Sequence, residues 1–204
     1  FGQESVLSDA FTFNPNEGYP ALDDEVLNIS LFNPDTTYLI REDGGDTTQL
    51  FTNEQLTDGT AEAFCGANNG FVEAINDTTN SLTASQSVLA SQPQIIEAGV
   101  LLREFGKPVI NFDGTDDFLR IDSFTLAQPF TILVSSRIER GAIVSSQGGS
   151  SDFNTYTGGD DQLVVQSDDA VITSTKSIDN FESELVTIIV NDDNSYVRFD
   201  SALD

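Results

Sequence analysis

The feature that most constrains the fold of this chain is a succession of short apolar runs separated by turn-forming residues. From about residue 26 onward, clusters of Gly, Asp, Asn, Ser or Pro divide most of these runs. Turn signals that recur every ~8–12 residues are typical of antiparallel β-sandwiches and jelly rolls. The sequence therefore predicts an all-β domain over residues 21–204, preceded by an extended N-terminal arm over residues 1–20.

The apolar runs give the positions of the predicted strands. They are residues 26–32, 37–41, 47–52, 94–96, 100–103, 109–112, 118–121, 130–137, 142–145, 163–166, 171–175, 185–190 and 196–199. The run at 185–190 is apolar on both faces, which predicts a central strand covered on each side. Residues 76–92 are rich in Asn, Thr, Ser and Gln and are interpreted as a surface loop.

One short helix is predicted at residues 57–66. Thr57 or Asp58 can cap it, the following residues favour helix, and Gly66 ends it. Phe64 and Cys65 then face the core. Cys65 is the only cysteine, so the chain forms no internal disulfide, and we interpret this thiol as a small buried apolar group.

The composition excludes several classes of function. The chain has 34 acidic and 8 basic residues and no histidine, for a formal net charge of -26. Without histidine there is no Ser/His/Asp or Cys/His triad and no histidine-ligated metal. The negative charge repels nucleic acid and anionic lipid, and no apolar run approaches the ~20 residues that span a bilayer. Since the sequence contains no Met, we expect residue 1 to be exposed by processing or to follow a longer segment.

A set of six segments from residue 91 onward carries a family resemblance. They read, in order, SQPQI at 91–95, GKPV at 106–109, FDGTDDFL at 112–119, PFTI at 129–132, IVSS at 143–146 and VNDDNSY at 190–196. This pattern resembles the concanavalin A-like lectin/glucanase superfamily, also called laminin-G-like jelly rolls. The upstream part of the chain resembles the opening of a narrower group, tailed-phage virion proteins related to the catalytic domain of arabinofuranosidase B. The residues that carry this resemblance are Ile40-Arg41, Phe64-Cys65-Gly66 and Asn76-Asp77. The resemblance covers residues 20–199.

The resemblance implies a concanavalin-like antiparallel jelly-roll sandwich with one short helix. It also implies a non-enzymatic structural or adhesion protein on a phage virion surface: a capsid decoration protein, head fibre or tail-associated protein. The implied partners are other virion proteins, in a homo-oligomer or a capsid- or tail-bound state, and a host-surface glycan. Because domains of this family end with further strands, we expect the domain to continue past Asp204 or to be closed by a partner chain.

Two other functions stay open beside the virion role. One is a secreted glycoside hydrolase or carbohydrate-binding domain of the arabinofuranosidase or glucanase type, acting outside the cell. The other is an adhesion module of a bacterial cell surface. No catalytic carboxylate can be chosen among 34, because some pair will satisfy any distance rule. Glu139, Glu182 and Glu184 are interpreted as solvated surface residues.

The acidic segment at residues 113–117 has a structural and a metal-binding interpretation. Gly114 is predicted to need a positive φ, and the neighbouring Asp side chains can accept backbone N–H groups and close a turn. Clustered carboxylates also suit Ca²⁺, although no cofactor is required. The candidate Ca²⁺ ligands are Asp113, Asp116, Asp117, Asp160, Asp161, Asp192 and Asp193.

Aromatic residues in polar segments give the remaining candidate contacts. Residues 151–159 are interpreted as a polar loop with an aromatic tip, typical of a binding loop at a sheet end. Its candidate residues for contact with a glycan or a partner are Tyr156, Phe153 and Asn154. The N-terminal arm would dock through Phe11, Phe13 and Tyr19.

Overall fold

The structure is a computed structural model that describes residues 35–104 and 106–122 and, beyond them, seven strands. The arm at 1–20 and the predicted strand at 26–32 lie outside the described residues. The strands before residue 122 are β1 Thr36–Glu42, β2 Thr48–Thr52, β3 Gly70–Asp77, β4 Leu82–Ser85, β5 Gln94–Glu97, β6 Val100–Leu101, β7 Arg103–Glu104, β8 Lys107–Pro108 and β9 Arg120–Ile121. The later strands are β10 Phe130–Ser136, β11 Ala142–Ser145, β12 Phe153–Thr157, β13 Gln162–Ser167, β14 Ala170–Ser177, β15 Glu184–Val190 and β16 Tyr196–Asp200.

All pairings between these strands are antiparallel, so the predicted all-β class is confirmed. In the described residues the largest sheet has the order β2-β1-β3-β4-β9, with β5 also paired to β3 and β6 to β5. Three further sheets have the orders β10-β15-β16, β11-β12-β13-β14 and β7-β8.

The core of the largest sheet is built where β1 meets its two neighbours. Tyr38 lies opposite Phe51 on β2 and Ile75 on β3, while Ile40 lies opposite Val72. All five side chains are buried because alternate residues of a strand point to the same face. The other buried apolar members of this cluster are Leu56, Ala61, Cys65, Ile95, Ile96 and Leu101.

Two short helices, rather than the single predicted one, cover this core. They are α1, Asn53–Thr57, and α2, Thr60–Cys65. Gly59 has a φ of 93°, which breaks the helical path between them. The start of α1 has a signal that the sequence prediction missed: Thr52 and Gln55 form a reciprocal capping box. No helix in the described part of the chain is long and apolar enough to cross a membrane.

The predicted packing of the second helix is confirmed. Cys65 is buried, and the Phe64 ring packs against the core with its centroid 5.4 Å from that of Phe51. Burial, with smaller contributions from the negative charges of Glu42 and Asp43, raises the pKa of the Cys65 thiol to about 11. The thiol is therefore protonated at neutral pH, as expected of a packing group.

The prediction of a surface loop at residues 76–92 is wrong. β3 extends to Asp77, β4 pairs with it, and a short 3-10 helix follows at Leu89–Ser91. Polar residues are stable in these strands because they bond across the ladder: the Thr83 hydroxyl donates to the Asn76 side-chain oxygen at 2.9 Å. The polar residues of this segment belong in part to the hairpin of β3 and β4 rather than to a loop.

The strands predicted in the second half are largely confirmed. β15 lies between β10 and β16, so the run that is apolar on both faces is the central strand of its sheet. Val186 and Ile188 are buried on one face of the strand, and Ile189 is buried on the other. The predicted strand at 109–112 is wrong, since only Asn111 forms a bridge, to Gln94.

Candidate functional site

The acidic turn at residues 113–117 is closed by its own carboxylates. One oxygen of Asp113, Oδ1, accepts the backbone N–H groups of Thr115 at 2.8 Å, Asp116 at 3.2 Å and Asp117 at 3.4 Å. In return, the Asp113 backbone N–H donates to Asp117 Oδ2 at 2.9 Å. Gly114 has a φ of 72°, as predicted. The structural interpretation of this acidic segment is therefore confirmed.

The turn is fixed to the body of the protein at both of its ends. On one side, Asn111 and Gln94 exchange two backbone hydrogen bonds of 2.8 and 2.9 Å. On the other, the Phe118 N–H donates to the Ser91 carbonyl at 3.3 Å. The Ser91 hydroxyl also donates to Asp116 Oδ2 at 2.9 Å. The turn therefore projects beside the segment that runs from the 3-10 helix into β5.

Apolar residues just outside these hydrogen bonds anchor the turn. Ile110 and Leu119 are half-buried and pack against the core cluster. They flank the turn, three residues before Asp113 and two after Asp117. The five turn residues can therefore be polar, and all but the half-buried Asp117 exposed, without losing their position.

The carboxylates of this turn have unlike environments. Hydrogen bonds from the backbone N–H of Thr115, and then of Asp116 and Asp117, lower the pKa of Asp113. Burial raises the pKa of Asp117, and the negative charges of Asp113 and Asp116 add to this effect. Arg41 forms an ion pair with Asp46 and Arg120 forms one with Asp122, so neither of these arginines neutralises the turn.

Three of the seven candidate Ca²⁺ ligands come together here. Asp113, Asp116 and Asp117 each offer one carboxylate oxygen, and these three oxygens lie within 4.8 Å of one another. Ca²⁺ takes about 6–8 oxygen ligands, so water or carbonyl oxygens would have to supply the others. One oxygen of each carboxylate already accepts a hydrogen bond, which closes the turn without an ion. Asp160, Asp161, Asp192 and Asp193 lie outside the described residues.

Exposed apolar side chains surround the acidic turn. Phe112 and Phe118, the residues on either side of it, are 45% and 50% exposed. Val88 and Leu89, which enter the neighbouring 3-10 helix, are 56% and 48% exposed. The sequence prediction placed Phe112 on a strand with Ile110 and therefore missed this surface. The available signal was the pattern itself, a Phe at each end of a hydrophilic turn.

The predicted binding loop at residues 151–159 is wrong in its central part. Residues Phe153–Thr157 form β12, an inner strand of its sheet, between β11 and β13. Tyr156 lies opposite Ala142 and Val164, and Asn154 lies opposite Ser145 and Gln166. Aromatic and β-branched residues favour strands, and that preference decides the structure here.

The remaining site predictions have simpler outcomes. The arm residues Phe11, Phe13 and Tyr19 lie outside the described residues, as do Glu139 and Glu182. Glu184 is the first residue of β15, opposite Ser136 of β10.

A second carboxylate, Glu42, closes the loop between β1 and β2. Its side chain accepts hydrogen bonds from the Gly44 N–H at 2.7 Å, the Gly45 N–H at 2.9 Å and the Thr47 hydroxyl at 2.8 Å. The side-chain amide of Asn68 adds another at 3.0 Å. The Thr47 hydroxyl chiefly, and then the backbone N–H groups of Gly44, Thr47 and Gly45, lower the pKa of Glu42. Like Asp113, this carboxylate holds the backbone of a turn in place.

The Glu42→Gln variant tests this structural use of a carboxylate. We expect it to melt below the wild type at pH 7, because an amide replaces one of the accepting oxygens. The folded pKa of Glu42 is depressed, so its stabilisation is present above the usual value of 4.5 and is lost as pH falls through the folded pKa. The difference in melting temperature between the variant and the wild type should therefore become smaller in acid. Circular-dichroism melts across a range of pH measure it.

The matched control for this experiment is Glu97→Gln. Glu97 is exposed on β5, so this substitution removes one negative charge without removing the hydrogen bonds. We expect it to change the melting temperature little. Equal melting curves for the two variants at every pH would contradict the role given to Glu42.

Comparisons with known proteins do not add to these observations. A scan against protein-family models, a search of curated proteins and a search of solved structures each find no match to this chain. The interpretation of the acidic turn therefore rests on its own geometry.

Proposed function

We propose that this chain is a non-enzymatic structural or adhesion protein on the surface of a phage virion. It would serve as a capsid decoration, head fibre or tail-associated protein, with other virion proteins as its partners and a host-surface glycan as a further contact. The observation that carries the proposal is the segment at residues 106–119, whose sequence has the family pattern and which forms an ordered, exposed turn on a β-scaffold. Exposed loops on a rigid sheet are the usual place for binding residues.

The use of acidic residues supports a structural role. Glu42, Asp113 and Asp77 each accept backbone N–H groups in a turn, and hydrogen bonds lower the pKa of all three. A catalytic acid needs the opposite shift, a raised pKa near the working pH. Carboxylates that close turns also leave a negative surface, which keeps a displayed protein soluble.

A concanavalin-like jelly-roll sandwich is the finer fold that we propose. Its support is the arrangement of β15, which is buried on both faces and central in its sheet. A strand of this kind needs a packed layer on each side. The β14–β16 contact is one place where two of the later sheets meet.

The proposal is tested on purified particles. We expect peptides of this chain in the mass spectrum of phage particles purified from the source culture through a density gradient. Antibodies against the chain should label intact particles in negative-stain micrographs. Particles that contain no copy of the chain would rule the proposal out, and label only on broken particles would remove it from the surface.

One observation favours the glycoside hydrolase as a second candidate. The pKa of Asp117 is raised while that of Asp113 is lowered, and pairs with opposite shifts are found where one carboxylate is an acid and the other a base. A panel of arabinosides and β-glucans separates the two functions. We expect no turnover; hydrolysis that Asp117→Asn abolishes, while Glu97→Gln does not, would establish the enzyme.

A further inference from the structure

We propose that the exposed apolar surface around the acidic turn is the docking site for a basic, amphipathic segment of a partner protein. We call this surface the turn patch and define it as Val88, Leu89, Phe112 and Phe118, with the carboxylates of the turn at its edge. The apolar side chains of the partner would cover the two rings, and its Lys or Arg side chains would face the carboxylates. The proposal deepens the virion role and rests on it in one respect, that the partner is a neighbouring virion protein.

The four apolar residues belong to one small region because the backbone brings their segments together. The Phe118 N–H donates to the Ser91 carbonyl, and the Ser91 N–H donates to the Val88 carbonyl at 3.0 Å. Phe112 stands at the other end of the same turn, which the bond between Asp113 and Asp117 closes. Clusters of exposed apolar residues with a polar rim are typical of protein interfaces.

Charge selects the kind of partner. Phe112 directly precedes Asp113 in the chain, and Phe118 directly follows Asp117. No cation in the described part of the chain pairs with the three carboxylates of the turn. Each of these carboxylates gains from a cation that arrives with a partner, and aromatic faces also attract Lys and Arg.

A second copy of this chain is a poor occupant of the turn patch. Each copy carries a formal net charge of -26. A two-fold contact through the patch would set the same three carboxylates of each copy against each other. Anionic glycans, nucleic acids and acidic membranes meet the same repulsion, so a basic segment is the occupant that the charge favours.

The test uses the purified chain and synthetic peptides whose binding is followed by fluorescence anisotropy. The probe is a labelled peptide of three Leu-Lys-Lys-Leu repeats, in a buffer of about 0.1 M NaCl, where screening acts over ~10 Å. Two comparison peptides replace Lys by Glu or Leu by Ser. We expect saturable binding of the first peptide only. Equal binding of the Ser-Lys peptide would overturn the proposal, because it would mean that charge alone suffices.

Variants of the rings locate the binding site. The Phe112→Ser/Phe118→Ser double variant should weaken binding at least about ten-fold, because it removes the two rings that the peptide would bury. The matched control is Leu50→Ser, which removes an apolar residue of similar exposure (53%) from β2. Since these side chains are exposed, folding should survive, and Val88→Ser provides a second, smaller change. Equal losses in patch and control variants would overturn the proposal.

Variants of the carboxylates test the charge. Asp116→Asn/Asp117→Asn should weaken binding about five-fold or more, because each amide keeps an acceptor oxygen but loses the negative charge. The control Glu54→Gln/Glu97→Gln removes two charges at exposed positions elsewhere and should have little effect. A self-association seen by sedimentation and lost in the ring variants would overturn the proposal in favour of a second copy.

The two proposals fail separately. Peptide binding does not depend on where the chain is found, so its loss would refute the turn patch while particles still contain the protein. If the chain is absent from particles but binds the peptide through the patch, the virion role fails and the basic partner must lie elsewhere.

Discussion

The Phe51→Ala variant is expected to lose about 3–5 kcal/mol of unfolding free energy. The side chain is fully buried on β2, the end strand of the largest sheet, and it lies opposite Tyr38 of β1. Its ring also meets that of Phe64 on α2, so truncation leaves a cavity between sheet and helix. Chemical denaturation followed by circular dichroism measures the loss, from the shift of the urea midpoint at constant slope.

The adjacent residue provides the control for this prediction. Leu50 lies on the same strand but is 53% exposed, on the opposite face. We expect Leu50→Ala to change the unfolding free energy by no more than about 0.5 kcal/mol. Similar effects for both variants would contradict the register that places Phe51 inward, because a slip of one residue exchanges the two faces.

The strands that could be predicted from the sequence are those in which apolar and polar residues follow a clear pattern along the chain. The run at 185–190 was identified as a central strand because its faces are both apolar, and β15 is central. The predicted run at 37–41 corresponds to β1, Thr36–Glu42. Residues 70–75 of β3 do alternate, with Val72 and Ala74 buried, and the sequence prediction did not use this signal. The end of β3 and the strand β4 were missed because their Asn and Thr residues pair across the ladder rather than pack in a core. Polar strand residues give little signal, because their position depends on the partner strand.

The same limit applies to the candidate site. The closed turn at 113–117 was predictable because Gly and Asp have local conformational preferences that act within five residues. The exposure of Phe112 and Phe118 could not be predicted, because it depends on the position of the turn relative to β5. Local chemistry therefore identified the acidic turn, whereas the turn patch depends on tertiary structure.

The Gly99→Ala variant is expected to lose about 2–5 kcal/mol of unfolding free energy, from strain in the turn and from lost hydrogen bonds. Gly99 has a φ of 80° in the two-residue turn between β5 and β6. A Cβ at this position would overlap the carbonyl oxygen of Gly66, at the end of α2. To relieve the overlap the turn must move, which breaks the Gly99 N–H bond to the Asn68 carbonyl and the Ala98 N–H bond to Asn69 Oδ1, both 2.9 Å.

A second glycine separates the overlap from the strain. Gly106 has nearly the same φ, 78°, but a Cβ there would have no atom within 4 Å. Gly106→Ala should therefore lower the free energy of unfolding only by the strain of the positive φ, about 1–2 kcal/mol. Urea denaturation of both variants measures the difference between them, which is the contribution of the close approach between the β5–β6 turn and α2. If the two glycines give equal losses, the turn does not pack against the end of α2, and the position of this hairpin over the core is wrong.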